Sequence, residues 1–121
     1  MKTKPSFREL NLQEKEILNT LLEKDFKGRT EIKEQIHTAT VRKCCDCGCN
    51  SIEFSITSNT VIPSTIRVSV EASYFIKEKP FQILLHVIKG KVSELELVSY
   101  SDLIATDYPK KDELKVKINE N

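Results

Sequence analysis

The sequence predicts an α+β fold, with two N-terminal helices packed on one face of a four- to five-stranded, mostly antiparallel sheet. Three observations carry that prediction. In the first third of the chain, Ile17, Leu18, Leu21 and Leu22 recur at helical spacing and make one apolar stripe. From about residue 38 onward the period changes to two, as in Ile52, Phe54 and Ile56 or Ile66, Val68, Val70 and Ala72. Lys89-Gly90 then separates two extended apolar segments by the two residues of a tight hairpin, with glycine supplying positive φ. Helices that precede a run of strands, rather than alternating with them, belong to α+β architectures.

The elements follow in order. Residues 1–10 read as a polar lead-in. Asn11 has the side chain of an N-cap, and Glu14 three residues later completes a capping-box pattern, so the first helix runs from about Leu12 to Lys24. Phe26 packs at its end and Gly28 breaks the chain. A second helix spans Thr30 to about His37, with Ile32 and Ile36 on one face and Glu31, Lys33, Glu34 and Gln35 on the other. Ala39 and Val41 begin the sheet. The segments around Ile52–Ile56 and Ile66–Ile76 follow, separated by a loop at Ser58-Asn59 and Pro63-Ser64. Lys77-Glu78-Lys79-Pro80 is a polar turn. Phe81–Ile88 is apolar on both faces and is expected inside the sheet. In the return strand, Val92–Tyr100, Leu95 and Leu97 point inward and Glu94 and Glu96 outward. Leu103, Ile104 and Tyr108 are potential anchors in the tail, and residues 110–121 are expected to be loosely held.

Composition bounds the function. The 121 residues suit one domain, 1–121. With 39% apolar and 31% charged residues there is enough material for one core, which without tryptophan must be aliphatic with a few Phe and Tyr. Nineteen basic against eighteen acidic residues leave a net charge of +1, without the basic excess typical of a nucleic-acid binder. Residues 1–43 do hold ten Lys/Arg against seven Asp/Glu, but mixed-sign charge on helices is usually a solvated face. No apolar run follows the charged start, and runs such as Ile83-Leu84-Leu85 are too short to cross a membrane. The expectation is a cytoplasmic protein.

The chemically unusual segment is Cys44-Cys45-Asp46-Cys47-Gly48-Cys49. Disulfides within so short a stretch would close tiny loops of poor geometry, so a reduced thiol cluster is the better reading. Cys44, Cys47 and Gly48 fit C-x-x-C-G, the spacing of a zinc knuckle. The candidate metal ligands are Cys44, Cys47 and Cys49, with Cys45 as a fourth, and zinc is the candidate cofactor. A structural zinc site normally draws on two chain segments, and His37 and His86, the two histidines, have no ligand-like spacing. Clustered thiolates also suit Cu(I), and C-x-x-C can be redox-active, though redox pairs sit where a strand meets a helix. The plainer reading is that some thiols are small buried hydrophobes and others exposed loop residues, and it is preferred over a bound cofactor. Parity adds a constraint. Apolar residues are odd-numbered before the cluster (Ala39, Val41) and even-numbered after it (Ile52, Phe54, Ile56), so one straight strand cannot hold both sets. A turn or bulge between about Asp46 and Asn50, pivoting at Gly48, resolves the conflict.

Catalytic signatures are lacking. Three glycines, Gly28, Gly48 and Gly90, form no phosphate-cradling loop, and there is no G-x-S-x-G. A Cys47–His86 nucleophilic pair and a Glu94–Glu96 acid/base pair can be written down, but strand histidines and alternating surface glutamates usually serve other ends. The chain is not expected to be an enzyme.

Arg8, Leu10 and Glu14, then Cys47-Gly48-Cys49 followed by Ser51-Ile52, then Gly90 and Glu96, together resemble features of small bacterial α+β proteins similar to toxin-immunity proteins. That resemblance implies a protein-binding role, with a cognate toxin as partner, and transfers no catalytic residue. The expected function is therefore a non-enzymatic immunity-type binding protein. A metal-binding or thiol-sensing module centred on Cys44 to Cys49 is the alternative.

Overall fold

The computed structural model describes residues 7–43, 51–100 and 109–120. Its elements are β1 (Phe7–Glu9), α1 (Leu12–Leu21), α2 (Arg29–His37), β2 (Thr40–Lys43), β3 (Ile52–Ser55), β4 (Val68–Ile76), β5 (Lys79–Ile88), β6 (Lys91–Ser99), a 3-10 turn at Lys111–Glu113, and β7 (Lys115–Glu120). The strands form one sheet in the order β1-β2-β3-β6-β5-β4-β7, with every neighbouring pair antiparallel. The α+β class is as expected, but among the described residues seven strands replace the expected four to five. The two extra edges come from segments read as irregular. β1 lies in the polar lead-in, is three residues long and classed as exposed throughout, and is held by its pairing with β2, so no apolar pattern marks it. β7 lies in what was expected to be a loose tail. Val116 and Ile118 alternate there with Lys115 and Lys117, and both pack against the core.

The helix starts follow local chemistry. Asn11 Oδ1 accepts from the Glu14 N–H at 2.8 Å, and the Glu14 carboxylate accepts from the Asn11 N–H at 2.9 Å. Glu14 is also buried, which for a lone carboxylate would be costly. Arg8 satisfies it with two charge-assisted bonds of 2.8 and 2.7 Å, tying β1 to α1. Helix α1 ends at Leu21 rather than Lys24, and the Arg29 side chain donates to the Leu22 carbonyl at the helix end. Gly28, at φ +95°, makes the turn into α2.

Gln35 corrects the reading of α2. Placed by pattern on the polar face, it is fully buried. Its Nε2 donates to the carbonyls of Thr60 at 2.9 Å and Gly90 at 2.8 Å, and its Oε1 accepts from the Val92 N–H at 2.8 Å. One side chain thus joins α2 to the loop before β4 and to the β5–β6 hairpin.

Both hairpins bounding β5 have two residues at positive φ: Lys77 and Glu78, then Lys89 and Gly90. That backbone matches the right-handed twist of the flanking strands. Alternate residues of the strands are buried, among them Val70, Ala72 and Tyr74 of β4, Phe81, Ile83 and Leu85 of β5, and Leu95 and Leu97 of β6. They share one cluster with Ile17, Leu18 and Leu21 of α1 and Ile32 of α2. β5 is interior, as expected, flanked by β6 and β4. A bulge at His86/Val87 lets Val92 and Leu95 both be buried, although one is even-numbered and the other odd.

Candidate functional site

Residues of the opposite parity define a second, outward surface. Strand pairing places them in rows. One runs Phe7, Arg42, Glu53, Glu94, His86 from β1 through β2, β3 and β6 to β5. The next runs Glu96, Leu84, Glu71, Lys117 from β6 through β5 and β4 to β7. A third runs Val98, Gln82, Ser73, Lys115 across the same four strands. At one margin Phe75 sits opposite Pro80, and the Tyr100 N–H donates to the Pro80 carbonyl.

The chemistry of this surface is mixed. Leu84, in the interior of the sheet, is half-buried between Glu96 and Glu71, while Phe75, Ile88 and Tyr100 are largely exposed nearer its ends. His86 Nε2 lies 2.8 Å from Glu96 Oε1, and Arg42 Nε lies 3.6 Å from Glu53 Oε2. The Tyr100 hydroxyl donates to Gln82 Oε1. All these side chains but Tyr100, which follows β6, stand on paired strands.

A second feature is a cleft of about 580 Å³ where α1 and α2 meet the β1–β2 end of the sheet. Leu18, Leu22 and Ile36 line it, with Lys15, Lys33 and His37 also on its wall.

The predicted metal ligands Cys44, Cys47 and Cys49, with Cys45, lie outside the described residues. So does the expected pivot at Gly48. The described residues on either side, Lys43 and Ile52, pair antiparallel. Among the described residues no group of three or more His, Cys, Asp or Glu side chains is arranged to hold a metal ion. The two histidines are separated. His37 ends α2 beside the cleft, whereas His86 is on β5 with Glu96. Glu94 and Glu96 share the outward surface, as the alternation indicated, but Glu94 faces Glu53 and His86 across the strands, and Glu96 is the histidine's hydrogen-bond partner.

Sequence reasoning missed Leu84, Glu53 and Glu71 as members of one surface. Doubly apolar patterning of residues 81–88 was the available signal, because it left an aliphatic side chain on the outward parity. Cross-strand order, which sets Leu84 between Glu71 and Glu96 and puts Glu53 opposite Glu94 in the neighbouring row, was not readable.

Among the described residues, a perturbed titrating group lies on the buried side. Burial pushes the Tyr74 hydroxyl up to about 12. Its ring stacks on Phe81 with centroids 5.3 Å apart, and its hydroxyl has no hydrogen-bond partner among the described residues.

Comparison with family models, curated protein sequences and solved structures found no match. Among the described residues no helix is long and apolar enough to cross a membrane.

Proposed function

We propose that this chain is a non-enzymatic protein-binding protein, an immunity-type partner that neutralises a bacterial toxin in the cytoplasm. In this reading the two helices cover one face of the sheet and the outward surface is where the partner docks. The observation that carries it is Leu84. It is an aliphatic side chain on an interior strand, half-buried and flanked by carboxylates, with Phe75, Ile88 and Tyr100 exposed toward the sheet ends. Anchors of this kind, surrounded by polar residues that exclude water, carry most of the energy in protein interfaces. The resemblance carried by Arg8, Leu10, Glu14 and the Cys47-Gly48-Cys49 segment supports the same reading.

Co-expression tests it. The product of a toxic gene flanking this one should lose its toxicity when this chain is present, and Leu84→Arg should abolish that protection while the variant remains folded. Absence of protection by the wild-type chain against any flanking gene product defeats the reading.

The C-x-x-C-G spacing favours a second reading, a metal-binding or thiol-sensing module at Cys44 to Cys49 with zinc as the first candidate. Protein purified without chelators and carrying less than about a tenth of an equivalent of metal, with an unchanged melting temperature on chelation, rules that out.

A further inference from the structure

We infer that the cleft where α1 and α2 meet the β1–β2 end of the sheet binds a small amphipathic anion, a carboxylate carrying an aliphatic body. This goes beyond the proposed function and involves neither Leu84 nor its row neighbours. The cleft encloses about 580 Å³, within the range of small-molecule sites. Leu18 and Leu22 of α1 close its floor, together with Leu10 and Ala39. Ile36 of α2 is only half-buried there and leaves aliphatic surface open to a ligand.

Charge is sorted around this cleft. Lys15 on α1 and Lys33 and His37 on α2 line it, and all three are exposed. Arg29 stands one turn before Lys33 on the same face of α2, and its Nε donates to the carbonyl of Leu22. The acids of the two helices are engaged elsewhere or turned away. Glu14 is taken by Arg8 and the Asn11 N–H. Glu16 lines a different cleft with Ile17 and Lys110, and Glu34 accepts from the Thr60 hydroxyl at 2.8 Å. Glu31, two residues from Lys33, falls on the opposite side of α2. The acid among the described lining residues is Glu9, which shares the parity of Phe7 and Arg42 in the outward rows. Lys15 and Lys33 have no ion pair among the described residues, so both ammonium groups remain available. Two such groups on separate helices, above an aliphatic floor, suit a ligand with a negative head and an apolar body. The head meets an ammonium group, while the body lies against Ile36 and the lysine stems.

Titration of the full ¹⁵N-labelled chain with octanoate tests the inference, with butanoate, octyltrimethylammonium and blocked hexaglutamate for comparison. Octanoate should saturate in the millimolar range, with amide shifts concentrated at Lys15, Leu18, Asn19, Lys33, Ile36 and His37. Butanoate should bind at least about tenfold more weakly, because it buries fewer methylenes. The double variant Lys15→Gln/Lys33→Gln should bind octanoate at least about fivefold more weakly, and Asn19→Asp, which sets a negative charge on the α1 wall, about threefold. Lys79→Gln/Lys91→Gln removes the same formal charge from exposed positions at the starts of β5 and β6, and should leave the affinity within about twofold. Octyltrimethylammonium binding as well as octanoate, equal loss in both double variants, or shifts scattered over the sheet overturns the inference. Hexaglutamate binding as tightly as octanoate also overturns it, since the cleft would then read charge without the apolar body.

Discussion

Ile83 and Leu84 are neighbours in β5, similar in size and apolarity, and they have opposite fates. Ile83 is fully buried, paired with Ala72 and Leu97 on the side that shares its core with the helices. Leu84 is half-buried, between Glu71 and Glu96 on the outward side. A side chain in a sheet belongs to whichever face its parity assigns, and only then does hydrophobicity act on it. The inward set is packed to exclusion of water and serves stability. The outward set places an aliphatic side chain among carboxylates, where it contributes less to folding.

Substitutions can break or sharpen that contrast. The largest effect belongs to the inward side: Leu95→Ala should destabilise by about 2–5 kcal/mol in urea unfolding, because it is fully buried at the middle of the sheet. A cost below about 1 kcal/mol would show that this side is not a close-packed core. Next is Gly90→Ala. Gly90 sits at φ +78°, and an added Cβ would lie 2.6 Å from the Ile62 carbonyl oxygen, so the loss should be roughly 2–4 kcal/mol. Glu78, at φ +66° in the other hairpin, reaches positive φ without glycine, so Glu78→Gly should do the reverse and relieve up to about 1 kcal/mol of backbone strain.

Tyr74→Phe removes a buried hydroxyl that has no partner among the described residues, and should raise stability by up to about 1 kcal/mol at neutral pH. Its pH dependence is more telling. The hydroxyl titrates at about 12 when folded and near 10 when unfolded, so wild-type stability is fully present below pH 10 and is lost as pH rises toward 12. The phenylalanine variant should lose less over that window, as urea midpoints at pH 9 and 11.5 will show. Identical losses would place the hydroxyl in water. The smallest effect belongs to the outward side. Leu84→Gln should change stability by no more than about 0.5 kcal/mol while abolishing protection by the chain, separating binding from folding.

Much of the local structure is legible in the chain, and particular residues show why. Asn11 and Glu14 announce the start of α1 because a capping box is made within four residues and needs nothing distant. The Lys89-Gly90 turn and the inward pointing of Leu95 and Leu97 follow from spacing alone. Gln35 shows where such reasoning stops. Its neighbours in sequence mark a polar face, but its three hydrogen-bond partners come from residues 60, 90 and 92. β1 escaped notice for the same reason, since its pairing with β2 is its reason to be extended. Of the candidate sites, the Cys44 to Cys49 segment stood out by composition, whereas the outward surface required strand order to be seen.

By itself, the sequence determined the class, the helix starts, the hairpin turns and the parity of the longer strands. All of these depend on contacts a few residues apart or on the fixed alternation of an extended backbone. The tertiary structure alone decided that β6 lies between β3 and β5, that β7 pairs beside β4, and that Leu84 stands between Glu71 and Glu96. Those outcomes join residues tens of positions apart. They are selected by burial of one shared core, a cooperative quantity that no local window of sequence contains.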